Sequence, residues 1–106
     1  MYKFVAIDID GTLLNSKSEL TARNMNALKE ASSKGVYIVL TSGRMTTVIQ
    51  NFCREIGADK FLISENGASI FDLQKNETIY KRYIPKDTVL EILDLCIANN
   101  IYYMIY

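Results

Sequence analysis

Hydrophobic residues along the chain recur with two spacings. Short apolar runs rich in β-branched residues predict strands, and apolar positions three to four residues apart between them predict amphipathic helices. Apolar strands that alternate with such helices are typical of an α/β fold with a doubly wound parallel sheet, covered by helices on both faces. The predicted elements are strand 3–9, helix 22–34 capped by Thr21, strand 36–40, helix 46–56 and strand 61–64.

The spacing of apolar residues changes after Gly67. Residues 68–73 and 78–84 predict two strands joined by a polar turn, which is the pattern of a β-hairpin. A third helix is predicted over 88–99, and residues 101–106 have the pattern of a further strand.

Two carboxylates, Asp8 and Asp10, stand at the end of the first predicted strand and are followed by Gly11 and Thr12. Alternate side chains of an extended chain share a face, so the two carboxylates would point the same way. Such a pair repels unless a cation lies between its members, and hard oxygen ligands favour Mg²⁺. Because glycine lets the backbone leave the strand, there is room for a ligand beside them. The segment predicts a metal-assisted phosphate site.

This segment has two other interpretations. Asp10-Gly11 between apolar residues is also typical of a tight hairpin turn, and the local pattern leaves that alternative open. A calcium-binding EF-hand loop starting at Asp8 would place Glu19 at its twelfth position, but Leu13 stands where that loop requires glycine.

A second group of polar residues, Ser42, Gly43 and Arg44, follows the strand 36–40. Right-handed connections bring the carboxyl ends of parallel strands to one edge of the sheet, so Ser42 is expected to lie near the two aspartates. Taken alone, however, Ser42-Gly43 favours a simple turn from strand into helix, with Arg44 in solvent. After the third strand, Asn66-Gly67 is typical of a turn.

Composition and charge narrow the possible functions. Twelve basic and twelve acidic residues give no net field to attract nucleic acid or a membrane surface. The apolar runs are far shorter than the roughly 20 residues of a membrane span, and the aspartates interrupt the apolar start that a secretory signal needs. The two cysteines lack a paired spacing, which favours free thiols in the reducing cytoplasm. Without histidine, proton transfer falls to carboxylates.

Three segments resemble motifs of the haloacid dehalogenase superfamily, in particular its Cof-type sugar-phosphatase branch. Residues 8–14 are similar to its Asp-x-Asp-Gly-Thr-Leu-Leu motif, 41–44 to the motif that ends its second strand, and 66–68 to an Asn-Gly-Ala motif. The resemblance implies a Rossmann-like core with Asp8 as nucleophile and Mg²⁺ ligand. It implies Asp10 as general acid and base, with its backbone carbonyl on the metal. The phosphate and substrate would be bound by Gly11, Thr12, Ser42, Gly43, Arg44 and Asn66.

The function implied by this resemblance is hydrolysis of a small phosphorylated metabolite through an aspartyl-phosphate. A phosphomutase, which uses the same intermediate, and a catalytically incompetent binding module are the alternatives. A response-regulator receiver is disfavoured, because it needs an aspartate at the end of the third strand, where this chain has Ser64 and Glu65.

Later motifs of the superfamily, a phosphate-binding lysine and further acidic metal ligands, are not recognisable here. The resemblance therefore predicts a fragment, with residues 1–83 forming part of the core and its hairpin and residues 84–106 beginning a cap domain. Little activity is expected from it alone. The first strand would also lack one neighbour, so its apolar edge at 4–7 would favour self-association of the chain.

Overall fold

The computed structural model describes residues 2–105 and contains every predicted element up to residue 99. The bounds differ from the predicted ones by one to three residues where they differ at all. The elements are β1 (Phe4–Asp8), α1 (Ala22–Ser33), β2 (Tyr37–Thr41), α2 (Thr46–Ile56), β3 (Phe61–Ser64), β4 (Ser69–Asp72), β5 (Glu77–Lys81) and α3 (Lys86–Ala98).

The five strands form one sheet in the order β1-β2-β3-β4-β5. β1, β2 and β3 are parallel, and β4 and β5 extend the sheet as an antiparallel hairpin. This arrangement confirms the α/β, Rossmann-like fold class. It also excludes the hairpin turn at Asp10-Gly11, because β1 pairs in parallel with β2 and not with the residues that follow the turn.

The hydrophobic core lies between one face of the sheet and the helices α1 and α2. α1 begins at Thr21, whose side-chain oxygen accepts a hydrogen bond from the backbone N–H of Asn24 at 3.2 Å, and α2 ends at Gly57 in a left-handed conformation. Burial raises the pKa of the Cys53 thiol on α2 to about 11. The buried residues of this core are Ile9, Leu13, Leu14, Leu28, Ile38, Leu40, Ile49, Cys53, Ile56, Ala58 and Leu62.

The opposite face of the sheet is open, and the expectation of helices on both faces is wrong for the described residues. α1 and α2 contact one another and bury Ile38, Leu40 and Leu62, so alternate strand residues point away from them. The connections β1-α1-β2 and β2-α2-β3 advance in one direction along the sheet, which puts both helices on the same side. We call the uncovered surface the open face; it is lined by Phe4, Tyr37, Val39, Lys60, Phe61, Ile63, Ile70 and Ile79.

The strand predicted over residues 101–106 is absent from 101–105, and Tyr106 lies outside the described residues. A strand needs a partner for its backbone groups, and no strand of the described sheet lies beside this segment. α3 has no substantial contact with the strands or with α1 and α2, and its side chains are exposed or half-buried. The division into a core over 1–83 and a cap from residue 84 stays a prediction. No helix within residues 2–105 has the length and apolar character to cross a membrane.

We expect the isolated chain to self-associate through the open face and the unpaired side of β1. Replacing Ile79, which is 48% exposed on the open face, by lysine should lower the apparent mass in light scattering, because a charge there opposes burial of the face. Leu95→Lys is the matched control, since Leu95 is exposed on α3 away from the sheet. A wild-type chain that stays monomeric and unfolds cooperatively at high concentration would contradict this expectation.

Candidate active site

The first loop of the site follows β1 directly. β1 ends at Asp8, and the chain makes a wide turn over Ile9–Leu13 in which the Leu14 N–H donates to the Ile9 carbonyl at 3.0 Å. Gly11 in this turn has φ of 76°, which residues with a side chain rarely adopt. The strand is thus shorter than predicted, but the alternation of faces survives: Ile9 is buried, and Asp8 and Asp10 are exposed.

Asp8 lies at the carboxyl end of β1, directly across from Thr41 at the end of β2. Thr12 comes back over it through the turn, and its hydroxyl donates to Asp8 Oδ2 at a long 3.4 Å. The turn is fixed from behind, because the side-chain amide of Asn24 on α1 donates to the Leu13 carbonyl at 2.8 Å. The Asp8 carboxylate is therefore exposed and held on an anchored loop.

Ser42 is the buried member of the site, with 5% of its surface exposed. Its backbone N–H donates to the Ile63 carbonyl at 3.1 Å, and its own carbonyl accepts from the Asn66 N–H at 3.2 Å. The hydroxyl oxygen accepts from the backbone N–H of Arg44 at 3.2 Å, which leaves the hydroxyl proton able to donate to another group. Two loops thus fix the position of this hydroxyl.

Arg44 binds Asp10 through two parallel hydrogen bonds, from Nε to Oδ2 at 2.8 Å and from a terminal guanidinium nitrogen to Oδ1 at 2.6 Å. Hydrogen bonding to the guanidinium holds the pKa of the Asp10 carboxyl below its usual range. The same contact raises the pKa of Arg44. The Phe52 ring of α2 lies under the guanidinium, with 5.6 Å between Arg44 Cζ and the ring centroid.

The third loop, Glu65–Gly67, lies against the second, which is formed by residues 42–45 between β2 and α2. An added Cβ on Gly43 would come within 2.8 Å of the side-chain oxygen of Asn66, so the two residues are in close contact. Glu65, Asn66 and Gly67 all have left-handed backbone angles, with φ of 54°, 55° and 90°. Such a run is strained for the two non-glycine residues. An ion pair between Glu65 and Lys81 of β5, both about 70% buried, holds it in place.

A cleft of about 490 Å³ opens beside these loops. It runs from the start of α2 to the third loop, so it adjoins the ion pair of Arg44 and Asp10. Polar and apolar groups share its wall, which suits a ligand that carries both charge and carbon. Its lining residues are Gly43, Arg44, Met45, Val48, Glu65 and Asn66.

The donor set at the end of β1 is compatible with Mg²⁺. Among residues 2–105 no three acidic, cysteine or histidine side chains converge as a metal cluster. Mg²⁺ in phosphate sites is commonly held by one or two carboxylates, with water and the substrate supplying other oxygens. The exposed carboxylate of Asp8 and the backbone carbonyl of Asp10 are the residues that would hold it.

The predicted site residues therefore come from three loops at one edge of the sheet, after β1, β2 and β3. The pairing of Arg44 with Asp10 was not predicted, since 34 residues separate them and Arg44 was assigned to phosphate. The Glu65–Lys81 pair was also missed, and Lys81 had no recognisable motif around it. The only sequence signal for this pair was the opposite charge of Glu65, in the predicted turn, and Lys81, on the predicted hairpin that follows.

The chain matches a family model described as haloacid dehalogenase-like hydrolase over residues 5–106. It is 35% identical over 104 residues to Phosphatase YwpJ of Bacillus subtilis, covering 98% of this chain and 36% of that protein. It is 34% identical over 98 residues to the 5-amino-6-(5-phospho-D-ribitylamino)uracil phosphatase YcsE of the same organism, covering 92% and 39%. The chain thus spans between a third and two fifths of the length of these relatives.

A solved structure has the same fold. The crystal structure of a haloacid dehalogenase-like hydrolase from Bacteroides thetaiotaomicron superposes with a TM-score of 0.82 at 32% sequence identity, over 94% of this chain and 39% of that one. Family match, sequence identity and fold agree. The chain belongs to the haloacid dehalogenase-like hydrolase family.

Proposed function

We propose that the protein containing this chain is a Mg²⁺-dependent phosphomonoester hydrolase that acts on a small phosphorylated metabolite through an aspartyl-phosphate on Asp8. The observation that carries the proposal is that three groups lie at or just after the paired ends of β1 and β2, at one sheet edge: the exposed Asp8 carboxylate, the Asp10 carboxylate and the buried Ser42 hydroxyl. Relatives named as phosphatases support hydrolysis as the reaction. The free Cys53 and Cys96 thiols suit the reducing cytoplasm.

In the first step a carboxylate oxygen of Asp8 attacks phosphorus, and the bond from phosphorus to the ester oxygen breaks. The leaving oxygen takes a proton from Asp10. The Ser42 hydroxyl donates to a phosphoryl oxygen, where negative charge accumulates. Bound Mg²⁺ would neutralise part of this charge.

In the second step a water molecule attacks the phosphorus of the aspartyl-phosphate. Asp10, now a carboxylate, takes a proton from this water, and the bond from phosphorus to Asp8 breaks to release phosphate. The leaving group of the first step would lie partly in the cleft beside the third loop, where Asn66 would contact it.

The two aspartates should fail in different ways in the complete enzyme. Asp8→Asn removes the nucleophile, so both phosphate release and covalent labelling by substrate should be lost. Asp10→Asn keeps the nucleophile but loses proton transfer, so turnover should fall by at least about a hundredfold. Rapid-quench labelling and phosphate release measure the two effects. Full activity of Asp8→Asn would exclude the mechanism, and an isomerised sugar phosphate as product would indicate a mutase.

The 106-residue chain alone should hydrolyse phosphomonoesters very poorly, even with Mg²⁺. Each electrostatic partner missing from such a site commonly costs several kcal/mol in the transition state. The measurement compares phosphate release from sugar phosphates and an activated aryl phosphate by this chain and by the full reading frame that encodes it. Equal rates would show that residues 1–106 contain the whole catalytic machinery.

Gly43→Ala should separate activity from stability. The backbone of Gly43 is accessible to alanine, but the new methyl group meets the end of the Asn66 side chain, which can rotate away. We expect a melting temperature close to wild type and a raised KM in the complete enzyme, because Asn66 leaves the substrate side of the loop. Gly57→Ala is the opposite control, in which the melting temperature should fall and KM should stay unchanged. Gly57 has a left-handed φ of 77°, which strains alanine, and it lies far from the site. An unchanged KM for Gly43→Ala would remove Asn66 from the substrate site.

A further inference from the structure

The ion pair between Arg44 and Asp10 occupies a phosphate-binding edge of the guanidinium. Nε and one terminal nitrogen of Arg44 each donate to a different oxygen of Asp10, at 2.8 and 2.6 Å. Two parallel N–H groups at this spacing also match two oxygens of a phosphate. A carboxylate and a phosphate therefore cannot use this edge at the same time.

The ion pair is exposed, which makes exchange feasible. The Arg44 side chain is 36% exposed and that of Asp10 is 51% exposed. Water screens such pairs and they contribute little free energy. A phosphate monoester, which carries close to two negative charges at neutral pH, attracts the guanidinium more strongly than a single carboxylate does.

Arg44 itself is held independently of Asp10. Its backbone N–H donates to the buried Ser42 hydroxyl oxygen, and its guanidinium lies over the Phe52 ring. The Arg44 carbonyl accepts from the Glu65 N–H at 3.1 Å. The arginine can therefore keep its place while its partner changes, whereas Asp10 sits on the wide turn Ile9–Leu13 beside Gly11.

We propose that phosphate and the Asp10 carboxylate compete for the same edge of Arg44, so that binding of the phosphate group releases Asp10 from its ion pair. Arg44 is then a positioning residue for Asp10 before ligand binding and a phosphate ligand afterwards. This inference rests on the proposed phosphatase function, because it takes phosphate to be the ligand of this site. Its consequence is that the acid and base of the reaction is freed only when a phosphate is present.

The test uses inorganic phosphate and the complete protein that contains this chain, with binding followed by NMR. On saturation, the side-chain Nε–H signal of Arg44 and the carboxyl carbon signal of Asp10 should both shift. Asp10→Asn removes the competing charge and should tighten phosphate binding by about two- to fivefold, the range expected for loss of an exposed ion pair. In an Arg44→Lys background, which lacks the paired N–H edge, this gain should largely disappear.

Asp8→Asn is the matched control for charge. It removes one negative charge from the same loop without touching Arg44, so any gain in phosphate affinity should be equal with arginine or lysine at position 44. A gain from Asp10→Asn that is also independent of residue 44 would overturn the exchange. So would phosphate binding that leaves the Asp10 signal unchanged, because the second edge of the guanidinium would then be the one in use.

Failure of the exchange and failure of the proposed function give different results. Phosphate that binds without disturbing the ion pair overturns the exchange and leaves the phosphatase site intact. Absence of phosphate binding in wild type, Asp10→Asn and Asp8→Asn alike would overturn the exchange and would also count against the phosphate site on which it rests.

Discussion

Parallel pairing of β1 with β2 is the constraint on which the site depends. It places Asp8 across from Thr41, so the loops that carry Asp10 and Ser42 leave the sheet at the same edge. Parallel neighbours require a crossover, and the apolar stripe of α1 supplies one by packing over the strands. A shift of one residue in this register would exchange the helix-facing and open faces of β1 and turn Asp8 away from the site.

Most of the fold could be predicted from sequence because its signals are local. The helix start at Thr21 and the helix stop at Gly57 are side-chain and backbone properties of single residues. The open face could not be predicted in this way, since periodicity shows that a strand is apolar on both sides but does not show what covers each side. The prediction of a strand over 101–105 was wrong for a similar reason. The residues there have the composition of a strand, but no described strand lies beside them.

The residues of the site also fall into two groups: some are placed by local sequence signals, and others make contacts that depend on long-range packing. Asp8, Asp10 and Ser42 follow strands, so sequence order and the handedness of crossovers suffice to bring them to one edge. The contact of Arg44 with Asp10 depends on side-chain direction over a 34-residue separation, and that of Gly43 with Asn66 on how closely two loops pack. Neither leaves a pattern in the residues nearby, which is why Arg44 was assigned only to a ligand.

The rate at which the buried thiol of Cys53 reacts with a reagent reports how often the packing of α2 opens. A thiol with a pKa of about 11 is almost wholly protonated at neutral pH, and 1% exposure keeps reagents away. Alkylation of this cysteine thus requires the packing around α2 to open. The same helix carries Phe52 beneath Arg44 and, through its Thr46 hydroxyl, contacts Ser64 at 2.8 Å. The rate of labelling at the Cys53 sulfur therefore reports how often the packing of α2 behind the second and third loops opens.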